Sequence, residues 1–461
     1  MPQRRTTAIG LALLVAGIHA ACGGSPPPGS AVGPGTPTVG APGTIRISGA
    51  NPVPRGTFFG QNYWCWSNYG NFVQGTEILV ADLRLGVLRA GGHNNDSNTS
   101  NGFDPFDEAQ IDAYVSYCRR VGAQPILQVP LLKNATGGSA TAQDAADMVA
   151  YCNRTKGYAV RYWEIGNEPD LYSDQGDVPG YDVDHFCRDF NAFSTAMKGV
   201  DPAITILGPE LSWRYYPQTG ANDWLTPFLS KCRGHFDVVA VHRYPFAATD
   251  STIANALGDV VHFSSTLRGI RAQMDGSGLG SVPLAVTEAN ISWDGAPEVS
   301  TQLASPQTFY AGLWVADTLG AAIQQRLWAM CYWSLSEGWT LGFIDSLTKK
   351  PKPTYYAFEM VTNHTGPTLL AATPPTGFSA FASRSASNDA TLLVAINKNA
   401  TTNLETVVLS DLAAAPHGTY SYDFQPESLV ALEIPDDGGP MQVWRYTKTM
   451  ADAGTPPQQV Q

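Results

Sequence analysis

The 461 residues suffice for a large catalytic domain with a small companion. A net charge of −12 speaks against nucleic acid and other polyanions as bulk partners. Charged residues make up only 15% beside 10% aromatics, which fits an exported globular protein.

The chain opens on a targeting pattern. Arg4 and Arg5 precede an apolar run over 8–18, and Ala20-Ala21-Cys22 offers small residues before a cysteine. The pattern is similar to a bacterial lipoprotein signal over 1–21, with cleavage before Cys22 and lipid on its thiol. His19 stands where an aliphatic residue is usual, so ordinary signal-peptidase cleavage stays open. The apolar run is too short to span a membrane. Residues 22–43 are nearly all Gly, Pro, Ser, Ala, Thr and Val, and read as a tether. The expected location is therefore outside the cytoplasm: the cell surface or periplasm by a lipid anchor, or secretion.

Apolar, β-prone runs follow at 58–63, 86–89, 125–129, 162–166, 205–208, 238–242, 284–287 and 327–333. Between them lie helical patterns at 108–121, 141–155, 182–200 and 307–324; the first sets Ile111, Tyr114, Val115 and Cys118 on one face. Eight alternations of strand and helix predict a closed (β/α)8 TIM barrel over 44–365. No glycine-rich nucleotide fingerprint follows any of the runs, which weakens an open doubly wound sheet. After 366 the texture changes to short strand-like runs between turn residues. That predicts an antiparallel β-sandwich over 366–450, to which 44–48 can add a strand, and a disordered tail over 451–461.

Six cysteines remain after Cys22, without zinc-type spacing. In an exported chain an even number favours disulfides; six cysteines allow fifteen connectivities, of which Cys118–Cys152, Cys187–Cys232 and Cys65–Cys331 is a set the expected fold allows. No metal or cofactor is implied, and the protein is expected to be a monomer.

Polar residues collect where the predicted strands end, the rim at which such barrels carry their sites. Arg89 ends the second run and leads into His93; Asn167 and Glu168 close the fourth; Glu210 follows the fifth; His242 and Tyr244 close the sixth; Glu288 closes the seventh; Trp333 ends the eighth. Two strand-end glutamates, 168 and 288, suggest a pair of catalytic carboxylates, and glycoside hydrolysis is the commonest chemistry needing one. Glu164 alternates with Trp163 and Ile165 and is expected to point away from the lumen.

The order of these parts resembles the retaining β-glycosidases of glycoside hydrolase clan A, over about residues 57–365. Gly166-Asn167-Glu168-Pro169-Asp170 looks like the clan's acid/base motif, Glu288 like its nucleophile, and the stretch 352–358 like the start of its last barrel helix. With His242-Arg243-Tyr244-Pro245, the chain is most similar to the heparanase/β-glucuronidase-like or β-xylosidase/iduronidase-like groups. The resemblance implies double displacement on oligo- or polysaccharides. Glu168 would be the acid/base and Glu288 the nucleophile. Asn167 would bond the sugar 2-hydroxyl, Tyr244 would donate to Glu288, and Arg89 would lower the pKa of Glu288. His242 and His93 would bond sugar hydroxyls, and Trp333 would lie under the ring. Glu210 reads equally as a substrate contact or a loop stabiliser, and His242 equally as a core histidine.

Aromatics crowd the loops at these ends: Trp64, Trp66 and Tyr69; Trp213, Tyr215 and Tyr216; Trp293; Trp339. They suggest subsites for several sugar units. Arg89, His93, Arg214 and Arg243 could hold a uronic carboxylate. The rival reading is a carbohydrate-binding surface lipoprotein on an inactive barrel.

Overall fold

Period-two alternation needs one wet face, and the eight runs have none, so they read as solid apolar segments. In the computed structural model, which describes residues 43–65, 73–97, 105–215, 222–294, 304–337, 340–401, 403–410 and 418–461, they are the eight barrel strands. An earlier strand, β1 (Thr44–Pro54), lies outside the barrel. The barrel itself comprises β2 (Phe58–Asn62), β3 (Val87–Ala90), β4 (Gln124–Val129), β5 (Tyr162–Ile165), β6 (Thr205–Leu211), β7 (Val238–Arg243), β8 (Leu284–Ala289) and β9 (Ala329–Tyr332). They pair in parallel in chain order, and β9 closes on β2.

Helices follow the strands: α1 (Glu77–Asp82) after β2; α2 (His93–Ser97) and α3 (Glu108–Val121) after β3; α4 (Ala142–Val149) after β4; α5 (Val183–Val200) after β5; α6 (Leu225–Lys231) after β6; α7 (Ile253–Gly276) after β7; α8 (Phe309–Gln324) after β8; α9 (Pro353–Asn363) after β9. The start of α3 is fixed by a capping box, in which Asp107 and Gln110 satisfy each other's backbone N–H. Gly122, at φ 78°, ends it.

Two separate cores result. Small and branched side chains fill the lumen, among them Val87, Ile126, Leu207, Ala240, Ala285 and Cys331. Larger ones, such as Trp163, Phe186 and Trp314, pack between strands and helices. Tyr162 belongs to the lumen and Trp163 and Ile165 to the outer layer, so Glu164 faces inward, opposite to the expectation. Hydrophobicity could not set the phase, because β5 is buried on both faces.

The accessory domain contains β10 (Thr368–Thr373), β11 (Phe378–Arg384), β12 (Ala390–Asn397), β13 (Asn403–Ser410), β14 (Thr419–Phe424), β15 (Ser428–Pro435) and β16 (Gln442–Thr447). With β1 and β17 (Gln458–Gln459) they form one nine-stranded sheet in the order β14-β13-β1-β10-β11-β12-β15-β16-β17. Every pair is antiparallel except β1–β13. Strands from both halves of this sheet, through Ile47, Phe424 and Val443, share one buried cluster, so the sheet curls over its own core. Its other face, through Phe381, Val394 and Leu429, joins the outer core of the barrel.

Three expectations need correcting. Residues 44–54 belong to this sheet, not to the barrel. The tail is ordered: α10 (Lys448–Asp452) leads into β17, which pairs with β16. The six cysteines after Cys22 are buried free thiols, and none of the three expected disulfides is present. Cys331 sits in the lumen while Cys65 sits in the outer layer, with the strand wall between them. Burial pushes the Cys118 and Cys152 thiols up to about 12. Among the described residues, no helix is long and apolar enough to cross a membrane. Cys22 and the expected signal and tether lie outside the described residues.

Candidate active site

The site forms where the strands end, and backbone irregularities aim its side chains. After β5, Gly166 takes φ 74°; a Cβ there would stand 2.8 Å from the Tyr172 hydroxyl. Asn167 and Glu168 follow, Glu168 itself at φ 48°. In β6 the register slips between Pro209 and Leu211, which pushes Glu210 out of the ladder at φ 58°. The β7–β8 register slips at the same height, and His242 then pairs across the ladder with Glu288.

Arg89 ties the floor together. It is wholly buried. Its Nε donates to Glu164 Oε2 at 2.7 Å, Nη1 to Glu288 Oε2 at 2.7 Å and to Asn62 Oδ1 at 2.9 Å, and Nη2 to Asn167 Oδ1 at 2.9 Å. Burial works against its charge, but Glu164, Glu288 and Glu210 outweigh burial and raise its pKa. Because Asn167 Oδ1 accepts from Arg89, the donors of its side-chain amide are not needed for that bond. The Asn167 backbone N–H donates to Asp96 Oδ2 at 3.1 Å.

The two candidate carboxylates sit in opposite surroundings. Burial pushes Glu288 up. Against burial stand His242, Arg89 and the Tyr244 hydroxyl donating at 2.6 Å, and the net result lies below the ordinary glutamate value. For Glu168 burial wins: the hydrogen bond from His242 lowers it, the charge of Glu288 raises it, and the net direction is up. An oxygen of each lies within 4.8 Å of the other. His242 bridges Glu168 Oε1 at 3.0 Å from Nδ1 and Glu210 Oε2 at 3.1 Å from Nε2. Burial opposes its charge, yet Glu288, Glu168 and Glu210 carry its pKa up to about 10. Spacing alone would let Glu168, His242 and Glu288 grip a cation, but an imidazole donating from both nitrogens offers it no lone pair.

Asn167, Arg89, Glu168, His242, Tyr244 and Glu288 therefore converge. Arg89 lies against Glu288 as expected, but it is wholly buried and holds Asn167 and Glu288, so it does not meet substrate. His242 is equally buried, with both nitrogens engaged, and meets Glu168 instead of a sugar hydroxyl. Glu210 is also wholly buried and accepts from His242 and from the Thr287 hydroxyl, so it is no substrate contact. Trp333 is partly buried at the rim; its indole N–H donates to Glu337 at 3.1 Å and its ring meets Trp64 edge-on at 6.1 Å. His93 is about a third exposed and faces Asp177 at 3.9 Å. Arg214 is held by Asp174 at 2.9 Å, and Arg243 by Asp259 on α7 at 2.5 Å. Trp293 is exposed, while Tyr215 is buried. Trp66, Tyr69, Tyr216 and Trp339 lie outside the described residues.

Sequence reasoning missed Asp96, Asn62, Glu164 and Glu337. Asp96 lies three residues past His93. Burial drives its carboxyl up to about 6 against bonds from Leu131, Tyr172 and Asn167. Glu337 accepts from the Leu341 N–H as well as from Trp333; its spacing of four from Trp333 was the available signal.

No family model matches the chain, and no curated protein matches it by sequence. Solved structures do match its fold. The Thermotoga maritima α-L-arabinofuranosidase superposes with a TM-score of 0.66 at 17% identity, covering 85% of this chain and 100% of that one. The Paenibacillus polymyxa xyloglucanase of glycoside hydrolase family 44 gives 0.66 at 15% identity, covering 85% and 99%. A Croceicoccus marinus glucosidase gives 0.62 at 15% identity, covering 85% and 96%. The barrel with its accessory sheet is thus a fold shared with glycoside hydrolases. None of these three is a heparanase or an iduronidase.

Proposed function

We propose that this protein is a retaining glycoside hydrolase of clan A that cleaves β-glycosidic bonds of oligo- or polysaccharides. The observation that carries the reading is the carboxylate pair: oxygens within 4.8 Å, one group held charged and the other driven toward its protonated form. Double displacement needs carboxyl groups about 5–5.5 Å apart, whereas an inverting enzyme leaves roughly 6.5–9.5 Å for water.

Glu288 attacks the anomeric carbon while Glu168 gives its proton to the departing oxygen. That C–O bond breaks and a glycosyl ester on Glu288 forms. Glu168, now a carboxylate, takes a proton from water; the hydroxide oxygen attacks the same carbon and Glu288 leaves as carboxylate. The Asn167 amide donates to the 2-hydroxyl, and Trp333 supplies an apolar wall. Arg89, Arg214 and Arg243 each have a carboxylate partner already, which favours a neutral sugar over a uronate in the subsite next to the cut.

The deciding experiment is a panel of aryl glycosides: β-glucoside, β-xyloside, β-galactoside, β-mannoside, β-glucuronide and, because a similar structure is an arabinofuranosidase, α-L-arabinofuranoside. Release is expected from at least one, falling by several orders of magnitude in Glu288→Gln. For Glu168→Gln a loss of about 10²–10⁴-fold is expected on poor leaving groups, far less on activated ones. Glycan binding without bond cleavage on the panel or on polysaccharides would instead favour the carbohydrate-binding lipoprotein. Display by lipid on Cys22 belongs to the same proposal: Cys22→Ala is expected to move the protein from a membrane to a soluble fraction, and an unchanged distribution would overturn it.

A further inference from the structure

Glu210 is an expensive residue to keep. It has no exposure, a left-handed backbone at φ 58°, a strand bulge to itself, and a second oxygen, Oε1, with no partner. Nothing in the reaction above touches it. Two of its contacts lead to the acid/base. The Glu210 carbonyl accepts the backbone N–H of Glu168 at 3.0 Å, and its carboxylate holds His242 Nε2, whose Nδ1 reaches Glu168 Oε1. The Thr287 hydroxyl steadies the same Glu210 oxygen.

We propose that Glu210 is a positioning residue: through His242 it fixes which way the imidazole donates, and so aims and holds the Glu168 carboxyl. This rests on the reading of Glu168 as acid/base. The logic is one of tautomers. With a carboxyl oxygen on each nitrogen, the ring carries two N–H donors and has one orientation. Without Glu210, one nitrogen loses its acceptor; the neutral ring can then turn its lone pair to Glu168 and take the proton meant for the leaving group. The charged groups facing His242 are Glu168 beyond β5, Glu210 on β6, Glu288 at 4.0 Å on β8, and Arg89 on β3 with Glu164 beside it.

The test uses the intact protein with ¹⁵N-labelled histidine, His242 assigned by the signal lost in His242→Gln, and two substrates that differ in leaving-group ability. In the parent the ring is expected to stay protonated across pH 5–9, in keeping with a value of about 10. Glu210→Gln is expected to bring its midpoint down by at least about one pH unit, with Glu210→Asp in between. Turnover of the unactivated glycoside should fall roughly 10–100-fold, and that of the activated one less than about threefold. An unmoved His242 titration in Glu210→Gln, or equal losses on both substrates, would overturn the proposal. Should Glu210→Gln not fold, the shift in Glu210→Asp decides alone. If the parent cleaves no glycoside, the proposed activity has failed, while the ring titration still decides whether Glu210 controls His242.

Discussion

At the scale of single residues, the site works by making two glutamates unlike. Glu288 has a cation on one oxygen and a phenol on the other; Glu168 has burial and a negative neighbour. Activity needs Glu288 ionised and Glu168 protonated, so it is bounded on the acid side by the lowered pKa of Glu288 and on the alkaline side by the raised pKa of Glu168. Tyr244 lowers the former by donating to it. Tyr244→Phe removes that donor, so the Glu288 pKa rises and the acid limb of kcat/KM is expected to move to higher pH while the alkaline limb stays. A pH–rate profile of the two proteins checks this; an unmoved acid limb would remove Tyr244 from the network. Glu168, Glu288, Asn167 and Tyr244 were legible because polar residues ending apolar runs are conspicuous. The inward turn of Glu164, the burial of Glu210 and the double bond of His242 were not, since lumen and outer wall are equally apolar and the strand bulges leave no trace in composition.

Among elements, α8 deserves comparison with the other barrel helices. Nearly all of its residues are buried, because strands lie on one side and the accessory sheet on the other. An apolar period-free helix is what such a position demands, and the sequence shows it as a helix but not what covers it. Gly320 is the point of closest approach: a Cβ there would sit 2.1 Å from the Phe381 ring on β11. Gly320→Ala, although it raises helix propensity, is therefore expected to destabilise the protein by about 1–3 kcal/mol. Chemical denaturation measures this, and a stabilised variant would show that the ring simply moves aside. Nearby, Lys398 pairs with the buried Asp317 of α8, a further link between sheet and barrel.

For the whole molecule, the barrel is enclosed in sequence by its accessory domain. β1 lies between β13 and β10, inside the sheet rather than on its edge. The notion that 44–48 could join the later strands came from β-prone residues alone; that the strand is internal, and parallel to β13, rests on pairings more than 300 residues apart that no local pattern encodes. Removing residues 43–54 should therefore cut the sheet in two and expose Leu370 and Val407. Such a protein is expected to be insoluble or to lose its cooperative melt, whereas loss of an edge strand would be mild. A soluble, normally melting truncation would contradict the assigned register.

The position of β1 also orders events in time. Among the described residues it is the first element to be synthesised, yet its antiparallel neighbour, in which Ala372 faces Ile47, appears only after the entire barrel has been made. Until then a strand with unpaired backbone and two large apolar side chains, Ile45 and Ile47, must wait beside the growing chain. The barrel can take shape from its own neighbouring strands, but the molecule stays open at its front until its last quarter arrives. Completion of the accessory sheet thus waits on strands made after the barrel.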